Sequence, residues 1–547
     1  MSGFDQETRD LIIESLREYA KQKLPEEYLI ELDHEGEFPK EGLQRMYARD
    51  TLGIHLLMIP EEYSGLGAST YDAYRVCEYL ARIDLGIATG IFATFLGLDP
   101  IRVGGTREQK EYWVRRVAEE GLLVSYGATE AEAGSDLGAL TTTATRVIEN
   151  RKITGYRISG SKQWISNGGI ADIHVVLAKV ENGVSWFIVP ADTKGMKYGV
   201  PEDKHGIRLA NTVAYTMDDI YVPAENLVGG VEGLGLSQAQ EVFGYTRLMV
   251  AAFGLGAGQE ALERAVRYSQ TRVQAGGPLS EKQGYTHKLL VPHAVNLAAA
   301  RAYIEHVAHR LDKGDEDLQT EGAIAKYFST NSGNAAAEDA IQALGGYGYV
   351  REYVVEKIKR DVKITQIYEG TNEIMEMTIA RNRWQDHLKS RSTYFHDMSR
   401  KMARLHERVS NVGADHISLT LNALNVVYER CRQQKLTRNQ HVMFKLGELT
   451  AEAEVSMVMC ETAASEELSD AFHYDRETIK AMSRIRARRS AHKVILEGIE
   501  LVMGSGSGDS TSMVEETGLL KIIAAQRGLV QDMDLVAIKL AEVFRAK

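Results

Sequence analysis

Cysteine is scarce in this chain. Cys77, Cys431 and Cys460 are the only three in 547 residues, and they lie far apart. That excludes a disulfide framework and any zinc-ligand spacing, and it fits a reducing compartment. No run of about eighteen consecutive apolar residues occurs, so no membrane span is expected. The opening residues, MSGFDQETRD, are polar and acidic, without the marks of a signal or transit segment. The expected location is cytoplasmic. An excess of positive charge is also lacking: the formal net charge is −12, which argues against a nucleic-acid partner for the chain as a whole. A GxGxxG motif after a strand is missing, so a dinucleotide-binding Rossmann site is not indicated.

What is present is ordinary for a globular chain, 44% apolar and 26% charged, and long enough for several domains. Residues 1–120 read as helices, with Ile12, Leu16 and Tyr19 spaced to bury one face. Between 121 and 232 the period changes. RKITGYRISG, ADIHVVLAKV and VSWFIVP are short β-branched or aromatic runs, and Glu181-Asn182-Gly183 separates two of them as a hairpin turn would. Helical patterning returns at 233 and persists to Lys547. Helices, then strands, then helices predict an α+β fold rather than alternating βαβ units. A break near 388 sets off an additional helical segment, 389–547, close to neutral where the rest is acidic.

That segment reads as a worn copy of the one before it. Ile341-Gln342-Ala343-Leu344-Gly345-Gly346-Tyr347-Gly348 aligns with Ile499-Glu500-Leu501-Val502-Met503-Gly504-Ser505-Gly506. The same offset pairs Lys363-Ile364 with Lys521-Ile522 and Gly370 with Gly528, and sets Arg527 opposite Glu369. A shared helix order is the expectation.

Four constellations could carry chemistry. In Ile367-Tyr368-Glu369-Gly370-Thr371-Asn372-Glu373, Thr371 can cap a following helix with Glu373 in its first turn. Glu369 then reads either as an acid favouring the helix dipole or as a general base on a tight turn. For the second role burial must raise its pKa, and Ile367 and Tyr368 are the flanking apolar groups. The small residues and hydroxyls of Tyr126-Gly127-Ala128-Thr129-Glu130 let backbone N–H groups approach a ligand, or simply form a polar loop. Trp164, with the Ser166 hydroxyl two residues on, offers a stacking face and a hydrogen bond for a flat ring, or a core Trp beside a turn. The glycine-rich loop Gly345-Gly346-Tyr347-Gly348, behind Gln342, lets backbone lie against a pyrophosphate.

Together these stretches resemble the acyl-CoA dehydrogenase family over roughly residues 1–388. GATEAEAGSDLGA and QALGGYGYVREYVVEKIKRDVKITQIYEGTNEI resemble its two signatures. GSKQWISNGGIAD and KHGIRLANTVAYTMDDIYVPAENLVG resemble its middle domain. The extra helical tail resembles the very-long-chain branch. The resemblance implies an N-terminal helical domain (1–120), a middle β-barrel or sandwich domain (121–232) and a C-terminal four-helix bundle (233–388), with the additional helical domain after them. It implies FAD as cofactor and an acyl-CoA substrate.

Residue by residue, Glu369 matches the family's base, with Tyr368 and Gly370 beside the substrate. Relatives that carry the base on an earlier helix place it close before an arginine; here Phe243-Gly244-Tyr245-Thr246-Arg247 holds no acid. Tyr126, Ala128, Thr129, Trp164 and Ser166 match residues around the flavin ring. Gln342, Gly345 and Gly346 match those at the adenylate end of a neighbouring subunit's flavin, and Arg272 the arginine that reaches it across the interface. Thr371 and Glu373 match residues near the FAD phosphates, and Ser135 and Arg247 those holding the CoA portion. Two departures stand out: Ala275 where relatives carry Phe, and Glu373 where many carry an amide. No metal is implied.

The small apolar stretch Asp84–Ala93 leaves room for a long acyl tail, or packs helices closely; it holds no arginine for a second carboxylate. The resemblance further implies a medium- to long-chain substrate, an electron-transferring flavoprotein as partner, and a homodimer whose tail occupies the place where tetrameric relatives pair. An acyl-CoA oxidase and a non-dehydrogenase flavoprotein that binds DNA or acts in assembly are the rival implications. The basic run Met482–Lys493 reads as a solvated or interface helix face, then as a membrane-surface contact, then as a nucleic-acid contact.

Overall fold

The computed structural model describes residues 3–315, 318–506 and 509–545. The side chains of Phe243 and Gly244, in the stretch before Arg247, also lie outside the description. The chain forms two compact units, one of residues 1–249 with 311–315, the other of 250–310 with 316–547.

In the first unit the helix Gln6–Lys23 turns Leu16 into the core, with Ile12 and Tyr19 half-buried. Helix Thr70–Ile83 starts with a reciprocal cap between Ser69 and Asp72. Helix Leu85–Gly104 is apolar and long enough to cross a bilayer, but 83% of its apolar window is buried inside the protein. The Asp84–Ala93 stretch packs closely there: a Cβ on Gly86 would meet Leu209 at 3.0 Å. Further along the stretch, Ala88, Ile91 and Phe92 line a small apolar cavity.

Seven strands follow: β1 Val124–Gly127, β2 Thr143–Glu149, β3 Lys152–Ser166, β4 Ile173–Val180, β5 Gly183–Pro190, β6 Met196–Tyr198 and β7 Thr212–Pro223. Their order is β1-β4-β2-β3-β7-β6, with β5 paired to β4. Val180 pairs with Gly183, so Glu181-Asn182 is the two-residue turn its sequence predicts. Along β4 and β5, Val175, Leu177, Trp186 and Ile188 enter one core shared with helix residues Leu98, Ile101 and Trp113. Their alternates Val176, Ala178, Phe187 and Val189 enter a second core with Ile158, Tyr215 and Ile220. Burial on both faces explains why these strands are continuously apolar.

The second unit is helical apart from a small ribbon at 273–278. Helices Val291–Asp312, Gln319–Leu344 and Asn372–Lys389 continue into Tyr394–Arg408, Ala414–Gln433, Gln440–Ala464, Arg476–Ser505, Ser510–Thr517, Leu519–Ala524 and Leu529–Val543. The seam with the extension is tight at Gly447, where an added Cβ would lie 2.2 Å from the Glu376 carbonyl oxygen. Backbone cannot yield as a side-chain tip can. Gly447→Ala is therefore expected to lower stability by about 1–3 kcal/mol. A urea denaturation midpoint equal to wild type would refute that.

At the sequence offset noted above, Gln319–Leu344 falls on Arg476–Ser505, Val354–Val362 on Ser510–Thr517, and Asn372–Lys389 on Leu529–Val543. Gly370 and Gly528, each just before its last helix, share φ = 85°.

The basic run is not a solvated face. Arg484 and Arg488 both pair with Asp532, Arg486 is buried against Glu452, and Lys493 pairs with Glu448. Arg486 also lies over the Phe328 ring at 4.7 Å. Among its arginines Arg489 is the exposed one. The run is charged because it binds buried acids from other helices, which its own sequence does not reveal.

Candidate functional site

The turn that carries Glu369 is built from opposing local demands. A short 3-10 turn, Lys363–Gln366, closes the preceding helix, and Thr371 caps the next one, accepting from the Ile374 amide at 3.4 Å. Between them the chain reverses through two left-handed residues, Glu369 at φ = 56° and Gly370 at φ = 85°. For glycine this is cheap; for glutamate it is strained, and such strain gathers at functional positions. Glu369 and Tyr368 are half-buried, whereas Ile367 is 48% exposed. Ile367 therefore does not provide the apolar wall expected of it, because the tight turn points it outward.

Behind this turn lies a polar network. The Lys326 ammonium, fully buried, donates to the Gly370 carbonyl at 2.6 Å and to Asn372 Oδ1 at 3.0 Å. Asn372 donates to Thr330 Oγ1 and Asn331 Oδ1, and Gln366 donates to the same Asn331 oxygen. Glu373 is exposed; its own backbone amide and the Thr371 hydroxyl hold its carboxyl below the usual range, so it keeps its charge.

In the first unit β1 ends at Gly127, and the loop after it is tied to β3. Gln163 N–H donates to the Thr129 carbonyl at 3.0 Å. Lys162, with no exposed surface, donates to the Ala128 carbonyl at 3.2 Å and to Glu130 at 2.8 Å. Glu130 also accepts from Thr141 N–H and Oγ–H and from Thr142 N–H. Burial pushes the Glu130 carboxyl up, but the hydrogen bonds from Lys162, Thr142 and Thr141 outweigh it and bring it to about 2. Burial brings the Lys162 ammonium down to about 8, with Glu130 opposing the shift.

Next to Lys162 the strand bulges. Lys162 pairs with Tyr215 and Ile165 with Val213, so Gln163 and Trp164 stand opposite Ala214 alone. Trp164 adopts φ = 57° and is 56% exposed. A large indole held out of the core on a strained bulge is a ready stacking face, and the core-Trp reading does not hold. Ser166 ends the strand opposite Thr212, and the Tyr126 ring lies tilted at 42° against Trp186, centroids 4.8 Å apart. Thus Tyr126, Ala128, Thr129, Trp164 and Ser166 are gathered by β1, β3 and one pinned loop. Ser135 is exposed on the far part of that loop; Arg247 is buried in the helix Gly235–Thr271.

In the second unit, Arg272, Gln342, Gly345 and Gly346 line one open cavity of about 710 Å³, with Tyr268 and Tyr347. A Cβ on Gly345 or Gly346 would meet nothing within 4 Å, so the backbone there is open to a ligand. The glycine-rich segment is not an open loop. Gly345, at φ = 61°, stops one helix, and Gly346–Tyr349 re-enters a helical turn. Ala275 sits with Gly276 at the tip of the ribbon in a left-handed conformation. The residues fit a flavin nucleotide: an exposed indole, an open glycine backbone and an arginine beside a roomy cavity. Reading the sequence missed Lys162, Glu130 and Lys326. The signal for Lys162 is a cation at an inward-facing strand position.

The first unit thus presents an exposed indole on its β domain, and the second unit an open cavity of about 710 Å³ beside bare glycine backbone. The comparisons are specific. Models of the acyl-CoA dehydrogenase N-terminal, middle and C-terminal domains match residues 6–121, 125–220 and 233–383. An acyl-CoA dehydrogenase of Bacillus subtilis is 36% identical over 372 residues, 67% of this chain and 95% of that protein. A crystal structure of acyl-CoA dehydrogenase complexed with FAD from Bacillus anthracis shares the fold across 99% of this chain and 96% of its own, with a TM-score of 0.83 at 22% identity. A structure described as the electron transferring flavoprotein of Acidaminococcus fermentans matches 70% of this chain and 99% of its own, with a TM-score of 0.65 at 32% identity. The chain belongs to the acyl-CoA dehydrogenase family. It is an FAD flavoprotein and an oxidoreductase acting on acyl-CoA.

Proposed function

We propose that the protein removes the α-proton and β-hydride of a medium- to long-chain acyl-CoA, giving the trans-2-enoyl-CoA, with Glu369 as the base. The observation that carries this is the left-handed Glu369-Gly370 turn. The carboxylate takes the α-proton, and the Glu369 backbone N–H binds the thioester oxygen as the enolate develops; one such donor contributes about 3–4 kcal/mol. Tyr368 and Gly370 border the acyl group, and Ser135 and Arg247 hold the CoA portion. FAD, when bound, would supply the acceptor for the β-hydride, and an electron-transferring flavoprotein would be the onward electron acceptor. Tyr126, Ala128, Thr129, Trp164 and Ser166 orient its ring. Arg272, Gln342, Gly345 and Gly346 receive the adenylate end of a partner subunit's FAD, and Thr371 and Glu373 its phosphate region.

The chain works as a homodimer in the cytoplasm, with 389–547 as a second, inactive copy of the 233–388 bundle. Support for the copy is the shared helix order and the paired glycines. Internal pairing of Arg484, Arg486, Arg488 and Lys493 leaves the membrane and nucleic-acid readings of the basic run with Arg489 as its one exposed arginine.

The test is an anaerobic titration of the FAD-loaded protein with saturated acyl-CoAs from butanoyl to palmitoyl, followed by loss of oxidised-flavin absorbance. Bleaching by octanoyl-CoA and longer chains is expected. A flavin that no member of the series reduces would overturn the reading.

A further inference from the structure

We propose that Lys326 is a positioning residue for the dehydrogenation, a buried cation that locks the Glu369 turn in its left-handed shape; this rests on Glu369 being the base. A strained non-glycine conformation persists only where its surroundings over-determine it. Residues 369 and 370 are both left-handed, and the group fixing the end of that pair is the Lys326 ammonium, 2.6 Å from the Gly370 carbonyl oxygen. Its second acceptor, Asn372 Oδ1, belongs to the first residue of the next helix. One buried cation therefore grips both the end of the turn and the start of the helix. A buried ammonium is costly unless its donors are satisfied, so it resists any movement that breaks these bonds.

The extension supplies an internal comparison. At the offset that places Gly370 on Gly528, Lys326 falls on Arg484 and Thr330 on Arg488. Of the two, Arg488 grips the segment before the last helix, whereas Arg484 pairs with Asp532 inside that helix. Arg488 donates to the Ala525 and Arg527 carbonyls, and both pair with Asp532. A cation on the long helix thus holds the corresponding segment in both copies, in the extension from the position one helical turn further on. Gly528 is left-handed like Gly370, but Arg527, opposite Glu369, is not among the described non-glycine residues with positive φ. The grip and the glycine accompany the fold in both segments. The strained residue accompanies only the segment that has the acid. The strain at Glu369 therefore belongs to the site and not to the bundle, and Lys326 holds the turn in which it is stored.

The experiment uses FAD-loaded wild type, Lys326→Met, Lys326→Gln, Lys326→Arg and Glu369→Gln. Two probes are taken with each: the saturated acyl-CoA that reduces wild-type flavin fastest, and its 3-thia analogue. The analogue has sulfur in place of carbon 3, so it can lose an α-proton but has no β-hydride to give. Its enolate beside oxidised flavin is read as a long-wavelength charge-transfer band. In Lys326→Met we expect kcat for flavin reduction to fall at least about tenfold, KM to stay within about twofold, and the band to weaken in parallel, since misplacing a reacting group by about 1 Å can cost 10²-fold. Lys326→Arg should recover part of the rate and the band. If Lys326→Met does not fold, Lys326→Gln, which keeps a donor without the charge, decides by the same readings. Wild-type kcat and band in Lys326→Met or Lys326→Gln, beside an inactive Glu369→Gln, would overturn this inference and leave the base assignment standing. A wild-type flavin that no acyl-CoA reduces would overturn both.

Discussion

Glu369→Gln is expected to keep its FAD and bind acyl-CoA as wild type does, yet lose flavin reduction by about 10²–10⁴-fold, the usual contribution of a general base. The amide has the same shape as the carboxylate, and the turn is fixed from below by Lys326, Asn372 and Thr371, none of which changes. The loss should therefore fall on kcat and leave KM nearly alone, as for a group that acts only in the transition state. Glu369→Asp adds a second reading. It keeps the carboxylate but draws it back by one methylene, about 1.5 Å, and a misplacement of that order costs roughly 10²-fold. Stopped-flow flavin reduction under anaerobic conditions measures both. Turnover near wild type in Glu369→Gln would remove Glu369 from the mechanism and with it the reading of the left-handed turn.

Much of this was legible in the sequence, and the unequal legibility has physical causes. β4 and β5 were readable because a strand buried on both faces must be apolar throughout, as Val175 to Ala178 and Trp186 to Val189 are. The cap at Thr371 and the turn at Glu181-Asn182 were readable because their partners lie within a few residues. The solvated reading of the basic run fails for the opposite reason. Asp532 lies 48 residues from Arg484 and 44 from Arg488, so no local window shows that these charges are already paired. Lys326 was invisible because, on a helix, a lone lysine among apolar residues looks the same whether it points to solvent or into a network. Ile367 was assigned to an apolar wall by its side chain alone, but its direction is set by the backbone of the turn. The glycine-rich stretch was read as an open loop because glycine permits one; the helical turn Gly346–Tyr349 follows from hydrogen bonding that composition does not encode.

Lys162→Met is expected to destabilise the first unit by about 3–5 kcal/mol, the range for removing one partner of a buried ion pair. The cost lies in what remains. Glu130 stays in the interior with its hydrogen bonds from Thr141 and Thr142, but without the cation that offsets its burial. The Ala128 carbonyl loses its donor in the same step, so the loop that reaches Thr129 loosens where it meets the bulge at Trp164. The variant should therefore show a lower thermal midpoint and release FAD more readily, and added FAD should recover part of the midpoint. The double variant Lys162→Met/Glu130→Gln removes the uncompensated charge and should be more stable than Lys162→Met alone. The same pair predicts an acid limb. The Glu130 carboxyl is held at about 2, below its ordinary 4.5, so the unfolded chain binds the extra proton between those values. Its contribution is complete above about 4.5 and is lost as pH falls through about 2. The double variant has no carboxyl to titrate there, so its stability should fall less steeply with acid than that of wild type. Parallel acid limbs would show that Glu130 is not held by Lys162, and the pinned loop would need another anchor.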